Sequence, residues 1–246
     1  MTAEAHRVGR SGPLWEAVAD SLLGRIVCGE FAIASIMPPE GALCEDYGVS
    51  RPTLRDAMKV LQEKGLIRTQ HGVGSIVLGP ESWSVLDPAV ISARLRQDQT
   101  GESIFDQLSV VRIALESELA FYAAAHASAS DITRMDKILA VMETVQDDPD
   151  AYLELDVRFH DLVMEASGNH MGMAMLTAIG EPLRQSRRIT NRIPQGVQTA
   201  QKFHREIFTH IGDRDSSAAA LAMRDHLTWS WNGHRALRGE GGQPTP

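Results

Sequence analysis

Apolar residues recur at every third or fourth position in three segments near the beginning of the chain, and this spacing predicts three amphipathic helices. The first helix covers residues 15–27. The second covers 40–47 and ends at Gly48, a residue type that permits a tight turn. The third begins after Ser50, a residue type that caps helix N-termini well, and extends to about residue 64.

Two short apolar segments follow the third helix and predict strands at 66–69 and 75–78, joined by the loop 70–74. Two helices around a short turn, followed by a small hairpin, are the pattern of a winged helix-turn-helix domain. We therefore predict such a domain at 13–78. The glycine- and proline-containing segment 79–84 is predicted to be a linker.

The remaining residues, 85–238, carry helical periodicity and almost no strand pattern, which predicts an all-α helical bundle that binds an effector. The expected fold class is mainly α, with an N-terminal winged helix-turn-helix domain and a C-terminal helical bundle. The ends, 1–12 and 239–246, are predicted to be disordered. Predicted helices cover 86–95, 103–127, 130–145, 150–166, 170–188, 195–211 and 216–237.

Composition excludes several classes of protein. At 43% hydrophobic and 23% charged residues, the chain has the composition of a globular protein. No stretch approaches the roughly 18 apolar residues of a membrane span, and the first residues lack the apolar core of a secretory signal, so we expect a cytoplasmic protein. Cys28 and Cys44 do not form a close pair, which excludes a disulfide scaffold.

The net charge of −8 argues against a nucleic-acid partner, but the charge is unevenly distributed. Residues 48–78 contain five basic and two acidic residues, a local charge of +3. A DNA-binding surface needs such a concentration, although a solvated helix face has the same composition. The pattern of residues therefore has to decide between them.

Polar and basic side chains cluster at the N-terminal end of the third helix and at the tip of the hairpin. Helix N-termini and hydroxyl groups favour phosphate oxygens, and arginine binds guanine edges or phosphates. A glycine at the hairpin tip permits a close approach to the adjacent minor groove. The candidate DNA-binding residues are Ser50, Arg51, Thr53, Arg55, His71 and Gly72.

The segments GVSRPTLRDAM, LQEKGLI and GVGS, which start at residues 48, 61 and 72, resemble the DNA-binding half of the GntR family of bacterial transcription regulators. The resemblance implies a homodimer that binds double-stranded operator DNA. One position departs from the family pattern. The family commonly has an acidic and a basic residue at the start of the second helix, whereas here Glu40 is followed by Gly41. This loss of a basic contact affects operator affinity or base preference.

Asp156 and His160 lie four residues apart on a predicted helix, so their side chains leave the same face. Alone, such a pair is more typical of a surface hydrogen bond or a core histidine than of a metal site. His204 and His226 lie beside apolar stripes of two later helices. One aspartate and three histidines are thus able to meet in the core of the bundle.

The segment ELDVRFH, which ends at His160, and the segment ASGN, which ends at Asn169, are similar to the FCD effector domain of FadR-type GntR regulators, together with His204 and His226. In metal-containing members of that group an aspartate and three histidines bind a divalent ion. The matching positions are Asp156, His160, His204 and His226. The members that bind acyl-CoA lack this set, so a fatty acyl ligand is not expected.

The same resemblance assigns effector contacts to Arg112 and Asn169. Arg112 would hold the far end of the effector, and Asn169 would donate into the pocket. Each assignment has a simpler alternative. Arg112 and Glu116 form an i,i+4 surface ion pair in the first alternative, and Asn169 caps a helix in the second.

One carboxylate and three imidazoles leave two or three open positions on a five- or six-coordinate ion, with Zn²⁺ expected ahead of Ni²⁺, Mn²⁺ and Fe²⁺. An open cation in a helical cavity attracts a carboxylate or α-hydroxy acid. The segment WSVLDPAV at 83–90 resembles GntR members that respond to sugar acids such as galactonate or gluconate. Sugar acids are therefore the first ligands to test.

The sequence predicts a regulator rather than an enzyme: a homodimeric repressor that a small carboxylate, bound at the metal, releases from DNA. Two alternatives stay open. In the first alternative, the regulator senses the metal ion itself. In the second the open site activates water in a hydrolase, with His170 or His210 as the general base.

Overall fold

The computed structural model describes residues 12–97 and 104–237 of the 246-residue chain. The disorder predicted for 1–12 and 239–246 lies outside the described residues, apart from Gly12. Contacts divide the chain into two compact units, with the division between residues 99 and 100.

The first unit contains four helices and a two-stranded antiparallel sheet among its described residues. The helices and strands are α1 (Leu14–Val27), α2 (Glu40–Tyr47), α3 (Arg51–Glu63), β1 (Ile67–Gln70), β2 (Gly74–Val77) and α4 (Pro88–Gln97).

The turn between α2 and α3 depends on glycine and on a cap. Gly48 adopts a left-handed conformation with φ of 64°, which ends α2 and which side chains with a Cβ rarely adopt. Ser50 then caps α3 by accepting a hydrogen bond from the backbone N–H of Thr53. Leu54, Ala57 and Leu61 of α3 pack into the core with the buried face of α1. These residues form the predicted helix-turn-helix.

Strands β1 and β2 form the hairpin called the wing. Its loop is one residue shorter at each end than the sequence predicted. Gln70 pairs with Gly74, so the turn contains only residues 71–73. The N–H of Val73 donates to the carbonyl of Gln70, which closes this turn and moves both strands one position towards the tip. A bridge between Ile36 and Ile76 extends the hairpin on its other side.

Helix α4 packs with the first unit, beyond the predicted linker at 79–84. Val90 and Ala93 join the same apolar core as α1 and α3, and Trp83 lies in that core with its indole N–H donating to the carbonyl of Leu78. The segment between the wing and α4 is thus held by burial, although the sequence suggested a boundary there. The assignment of 85–238 to one effector domain stays a prediction.

The second unit is all helical in its described part. Its helices are α5 (Ile104–His126), α6 (Ala129–Thr144), α7 (Pro149–Ala166), α8 (His170–Ala178), α9 (Gly180–Thr190), α10 (Gly196–Gly212) and α11 (Ser216–Leu237). The sequence suggested one continuous helix over 170–188, whereas the structure has two. The break falls at Ile179, because Pro182 lacks an N–H and its ring would clash with the preceding turn of a continuous helix.

The core of this bundle lies among α5, α6, α7, α10 and α11. Its helices bury apolar residues at three- and four-residue spacing, as the sequence predicted. The mainly α fold class is confirmed. Among the described residues, no helix has the length and apolar character needed to cross a bilayer.

Candidate metal centre and DNA-binding surface

One aspartate and three histidines converge in the core of the helical unit. Asp156 and His160 come from α7, His204 from α10 and His226 from α11, each at a position that continues a buried apolar stripe. All four side chains are buried; His204 has an exposed fraction of 0%. One nitrogen from each of the three imidazoles lies within 4.8 Å of the others. We call these four residues the Asp/His cluster.

The Asp/His cluster directs several polar atoms towards one another. Nε2 of His204 lies 3.1 Å from Oδ1 of Asp156 and 3.3 Å from Nε2 of His226. His160 reaches the same carboxylate with Nε2 at 3.8 Å from Oδ1. Converging acceptor atoms in a dry core require a shared proton or a cation between them.

A chain of hydrogen bonds fixes the orientation and tautomer of His204. The amide Nε2 of Gln201 donates to the carbonyl of Leu139 at 3.1 Å, so Oε1 of Gln201 faces the hydroxyl of Tyr152 and accepts its proton at 3.0 Å. That hydroxyl has one proton, and it therefore accepts from Nδ1–H of His204, which lies 3.2 Å away. This leaves the lone pair of Nε2 directed into the Asp/His cluster.

A buried ion pair orients His160 in a similar way. Nδ1 of His160 lies 2.8 Å from Oε2 of Glu116, which turns Nε2 towards the Asp/His cluster. Nε of Arg112 donates to Oε1 of Glu116 at 2.7 Å. Both side chains of this pair are buried, with exposed fractions of 5% and 2%. Arg112 and Glu116 thus form the i,i+4 ion pair of the simpler alternative, but in the core and not on the surface, because α5 turns this face inward.

Arg187 of α9 is a second buried cation beside the Asp/His cluster. Its Nη2 lies 3.6 Å from Oε2 of Glu116, and its Nε lies 3.5 Å from Oδ2 of Asp156. The two buried guanidinium groups, of Arg112 and Arg187, thus balance the charges of two buried carboxylates.

The buried groups have shifted pKa values that suit metal ligands. Burial and the charge of Arg187 lower the pKa of His160 to about 4, and burial and its histidine neighbours lower that of His226 well below the usual value. Burial alone would raise the pKa of Asp156, but its polar and charged neighbours His204, His160 and Arg187 together outweigh it, so the pKa lies below its usual value. His160 and His226 are thus neutral and Asp156 ionised near neutral pH, the protonation states that metal binding requires.

The residues of the Asp/His cluster fit a divalent cation. Two ligand atoms about 2.1 Å from one ion and 3.1–3.3 Å apart subtend angles of about 95–105°, between octahedral and tetrahedral values. Each of two imidazoles also has an outer partner, as metal-bound histidines usually do. Among the described residues, Nδ1 of His226 has no hydrogen-bond partner.

The other residues assigned to effector binding or hydrolysis do not join the Asp/His cluster. Asn169 is exposed and caps α8, with Oδ1 accepting from the N–H of Gly172 at 2.9 Å, so its contacts match the helix-cap alternative. His170 is exposed and His210 is half-buried. Arg184 forms an ion pair with Glu154 on the surface of the unit.

The candidate DNA-binding residues lie at one end of α3 and at the wing tip. Ser50, Arg51 and Arg55 are exposed, and Thr53 is half-buried, with its hydroxyl 2.9 Å from that of Ser50. His71 and Gly72 are exposed in the turn of the wing, where Gly72 has φ of 76° and open space around it.

Arg55 has an acidic neighbour that the sequence did not reveal. Its Nε lies 3.1 Å from Oε2 of Glu40, the first residue of α2. Both side chains are exposed, so the ion pair orients the guanidinium without burying it. The terminal nitrogens of Arg55 are left to face a ligand.

Comparison with known proteins matches both units. Residues 14–77 match the profile described as bacterial regulatory proteins, gntR family, and residues 107–228 match the FCD domain. The galactonate operon transcriptional repressor of Escherichia coli is 30% identical over 203 residues, which cover 80% of this chain and 86% of that protein. The chain belongs to the GntR family of bacterial transcription regulators.

Other relatives agree with this assignment. The HTH-type transcriptional repressor NanR of Klebsiella aerogenes is 30% identical over 217 residues, covering 87% of this chain and 82% of that protein. The fold alone is shared with a solved structure titled "Lar controls the expression of the Listeria monocytogenes agr system and mediates virulence", which has a TM-score of 0.64 at 16% identity. It covers 93% of this chain and 100% of that chain. As a GntR regulator with an FCD domain, the protein is a transcription regulator and not an enzyme.

Sequence reasoning missed three residues that support the Asp/His cluster. Arg187 had no pattern to distinguish it from its neighbours in a basic helix. Tyr152 precedes Asp156 by four residues, and Gln201 precedes His204 by three, so each shares a helix face with a ligand. That spacing was a usable signal for outer-sphere partners.

Proposed function

We propose that this GntR regulator is a repressor whose DNA binding is controlled by a small carboxylate bound at a divalent metal ion in the Asp/His cluster. The convergence of one carboxylate and three imidazoles in a fully buried core carries the proposal. A core made only for stability would be better filled by apolar side chains. Zn²⁺ is the first ion to test, with Ni²⁺, Mn²⁺ and Fe²⁺ as the others.

Asp156, His160, His204 and His226 would hold the ion, and the ion would supply open coordination positions with net positive charge. Before it binds, the charges of Arg112 and Arg187 cancel those of Glu116 and Asp156, and His160 and His226 are neutral. A divalent ion therefore leaves the site with an excess of positive charge. That excess favours an anionic ligand, and a carboxylate that also binds the ion satisfies it best.

Sugar acids are the proposed ligand class. The galactonate operon repressor is named for a sugar-acid operon, and its 30% identity extends over most of both chains. A hydroxyl next to a carboxylate lets a sugar acid occupy two open positions on one ion. We retain Arg112 and Asn169 as proposed effector contacts, although Arg112 binds Glu116 and Asn169 caps α8.

DNA binding would use two copies of the winged domain. Each α3 would enter a major groove of one half-site, with Arg51, Thr53 and Arg55 near base edges and Ser50 near a phosphate. His71 and Gly72 would follow the minor groove. The ligand controls this binding only if its affinity differs between the DNA-competent and DNA-incompetent states, typically by about 1–3 kcal/mol.

A crossed pair of variants tests the proposal. DNA selected by the wild-type protein from a random pool serves as the probe, and a panel of sugar acids with Zn²⁺ as the ligands. We expect Arg55→Ala to weaken DNA binding by about 1–3 kcal/mol, while the sugar acid that stabilises the wild type still raises its melting temperature. His204→Ala should bind DNA but lose that response.

Arg188→Ala is the matched control, because Arg188 is an exposed arginine in the helical unit. It should retain both DNA binding and the ligand response. Loss of both properties in Arg55→Ala would contradict the assignment of Arg55 to DNA contact, since it would indicate a disrupted fold.

A further inference from the structure

Among the described residues, the Asp/His cluster is almost closed to solvent, and its most exposed member, His226, has an exposed fraction of 5%. His204 and His160 have exposed fractions of 0% and 1%, and Asp156 has 3%. A cation and its carboxylate partner must therefore enter between helices, past a side chain that moves.

A cavity of about 360 Å³ lies among α7, α8 and α9. Val157 and Asp161 line it, each one residue after a residue of the Asp/His cluster, so the cavity and the cluster share adjacent faces of α7. Arg187 lines it too, and its guanidinium lies within 3.6 Å of the carboxylates of Glu116 and Asp156. Arg187 thus borders both the cavity and the cluster.

Arg187 is held more loosely than the other buried arginine. Its contacts of 3.5 and 3.6 Å exceed normal hydrogen-bond lengths, and in the described residues its Nε and Nη2 have no hydrogen-bond partner. Arg112, by comparison, donates to Glu116 at 2.7 Å. Movement of Arg187 therefore breaks no hydrogen bond at Nε or Nη2, although it separates the guanidinium from the two carboxylates.

We propose that the cavity among α7, α8 and α9 is the route by which a divalent cation and its carboxylate ligand reach the Asp/His cluster, with Arg187 as the gate. This inference rests on the proposed metal site. The carboxylate of Asp161 in the cavity wall attracts the cation, and Arg187 itself attracts the carboxylate ligand once it turns towards the cavity.

A second, larger cavity of about 660 Å³ between α5 and α11 is the rival route. It is lined by Ile113, Ser117 and Arg224 among others. Neither cavity is lined by a residue of the Asp/His cluster, but the first is lined by Arg187, an ion-pair partner of the cluster, and the second by no such partner among the described residues. The cavity that Arg187 lines is therefore the shorter way in.

Filling the cavity tests the route. A Cβ at Gly180, which lines the cavity, meets no atom within 4 Å, so Gly180→Trp adds bulk without an immediate clash. Thr177→Trp, from the exposed end of α8, is a second variant in case the first does not fold. Gly212→Trp is the matched control, since Gly212 is exposed and its Cβ also meets open space.

The measurement is the rate of Zn²⁺ uptake by the metal-free full-length protein and the rate of Zn²⁺ release to EDTA. We expect both rates to fall about tenfold in Gly180→Trp, with an unchanged Kd, because a blocked route raises the barrier in both directions. Gly212→Trp should match the wild type. A structural effect on the ligands would change Kd instead.

Wild-type rates in folded Gly180→Trp and Thr177→Trp would overturn the route while leaving the metal site in place. Slow exchange in Ala220→Trp, which narrows the cavity between α5 and α11, would assign the route to that side. Failure of the wild-type protein to bind Zn²⁺, Ni²⁺, Mn²⁺ or Fe²⁺ would overturn the metal site itself, and the route with it.

Discussion

The tautomer of His204 depends on a hydroxyl that does not belong to the Asp/His cluster, and its removal has a calculable effect. In Tyr152→Phe, Nδ1–H of His204 loses its acceptor, and Oε1 of Gln201 loses its donor. An unsatisfied buried group costs about 1–3 kcal/mol, so the free energy of unfolding of the metal-free protein should fall by about that amount.

The affinity for metal should fall as well, because His204 is no longer held with its Nε2 lone pair towards the Asp/His cluster. Loss of an outer partner typically weakens metal binding about 10- to 100-fold, which corresponds to about 1.4–2.7 kcal/mol. Competition for Zn²⁺ with a chromogenic chelator measures this change. Tyr122→Phe, at a tyrosine that is 38% exposed on α5, is the matched control and should bind as the wild type does.

Gln201→Leu gives a sharper test, since Gln201 lies farther from the ion. Without Oε1 as an acceptor, the hydroxyl of Tyr152 is free to donate to Nδ1 of His204, which moves the imidazole proton to Nε2. The affinity should then fall at least as far as in Tyr152→Phe. Wild-type affinity in both variants, with binding still lost in His204→Ala, would refute the hydrogen-bond chain as the source of the tautomer.

Three further predictions follow from single contacts. Ser50→Ala should lower the free energy of unfolding by about 1 kcal/mol in urea titrations, because α3 loses its N-cap. Glu116→Gln should cost about 3–5 kcal/mol in the same assay, because it leaves the buried guanidinium of Arg112 without its carboxylate and removes one of the two carboxylates beside Arg187. Hydrogen bonds from Ser128 lower the pKa of Asp131 below 3.8, so the stability they add is complete above about pH 4. It should decline as the pH falls further, and Ser128→Ala should show a weaker dependence, because the backbone N–H of residue 128 still donates to Asp131.

Each of these predictions has a control. Glu165→Gln removes a carboxylate whose ion pairs are partly exposed, and it should cost less than about 1 kcal/mol. Equal losses in Glu116→Gln and Glu165→Gln would contradict the role of burial. Ser84→Ala should leave the free energy of unfolding at the wild-type value, because Ser50, and not Ser84, caps α3 with its side chain. An identical pH dependence in wild type and Ser128→Ala would contradict the capping contribution of Asp131.

The fold was largely predictable because most local signals agree with tertiary packing. Ser50 and Gly48 define the turn of the helix-turn-helix through cap and backbone preferences that act within a few residues. The break at Ile179 was missed because the apolar pattern continues through it, while Pro182 forces a new helix to begin. Both strands of the wing lie one residue closer to its tip than predicted, because the turn that closes a hairpin decides which residues pair.

The proposed metal ligands of the candidate site could also be predicted from the sequence, but the buried arginines around them could not. The i,i+4 pair of Asp156 and His160 was visible, whereas the burial of Arg112 depends on how α5 turns in the bundle. Arg187 looks like any other residue of a basic helix until α9 is packed against α7. Side chains that meet across helices leave no spacing in the sequence to find.

The most direct test of the central claim is the effect of sugar acids on DNA binding by the metal-loaded protein. Fluorescence anisotropy with the selected DNA gives the Kd as a function of galactonate, gluconate and related acids, for wild type and His204→Ala. We predict that at least one acid weakens DNA binding by about 5- to 150-fold in the wild type and that chelation or His204→Ala abolishes the effect. An equal effect of that acid on wild type, chelated protein and His204→Ala would contradict control through the metal.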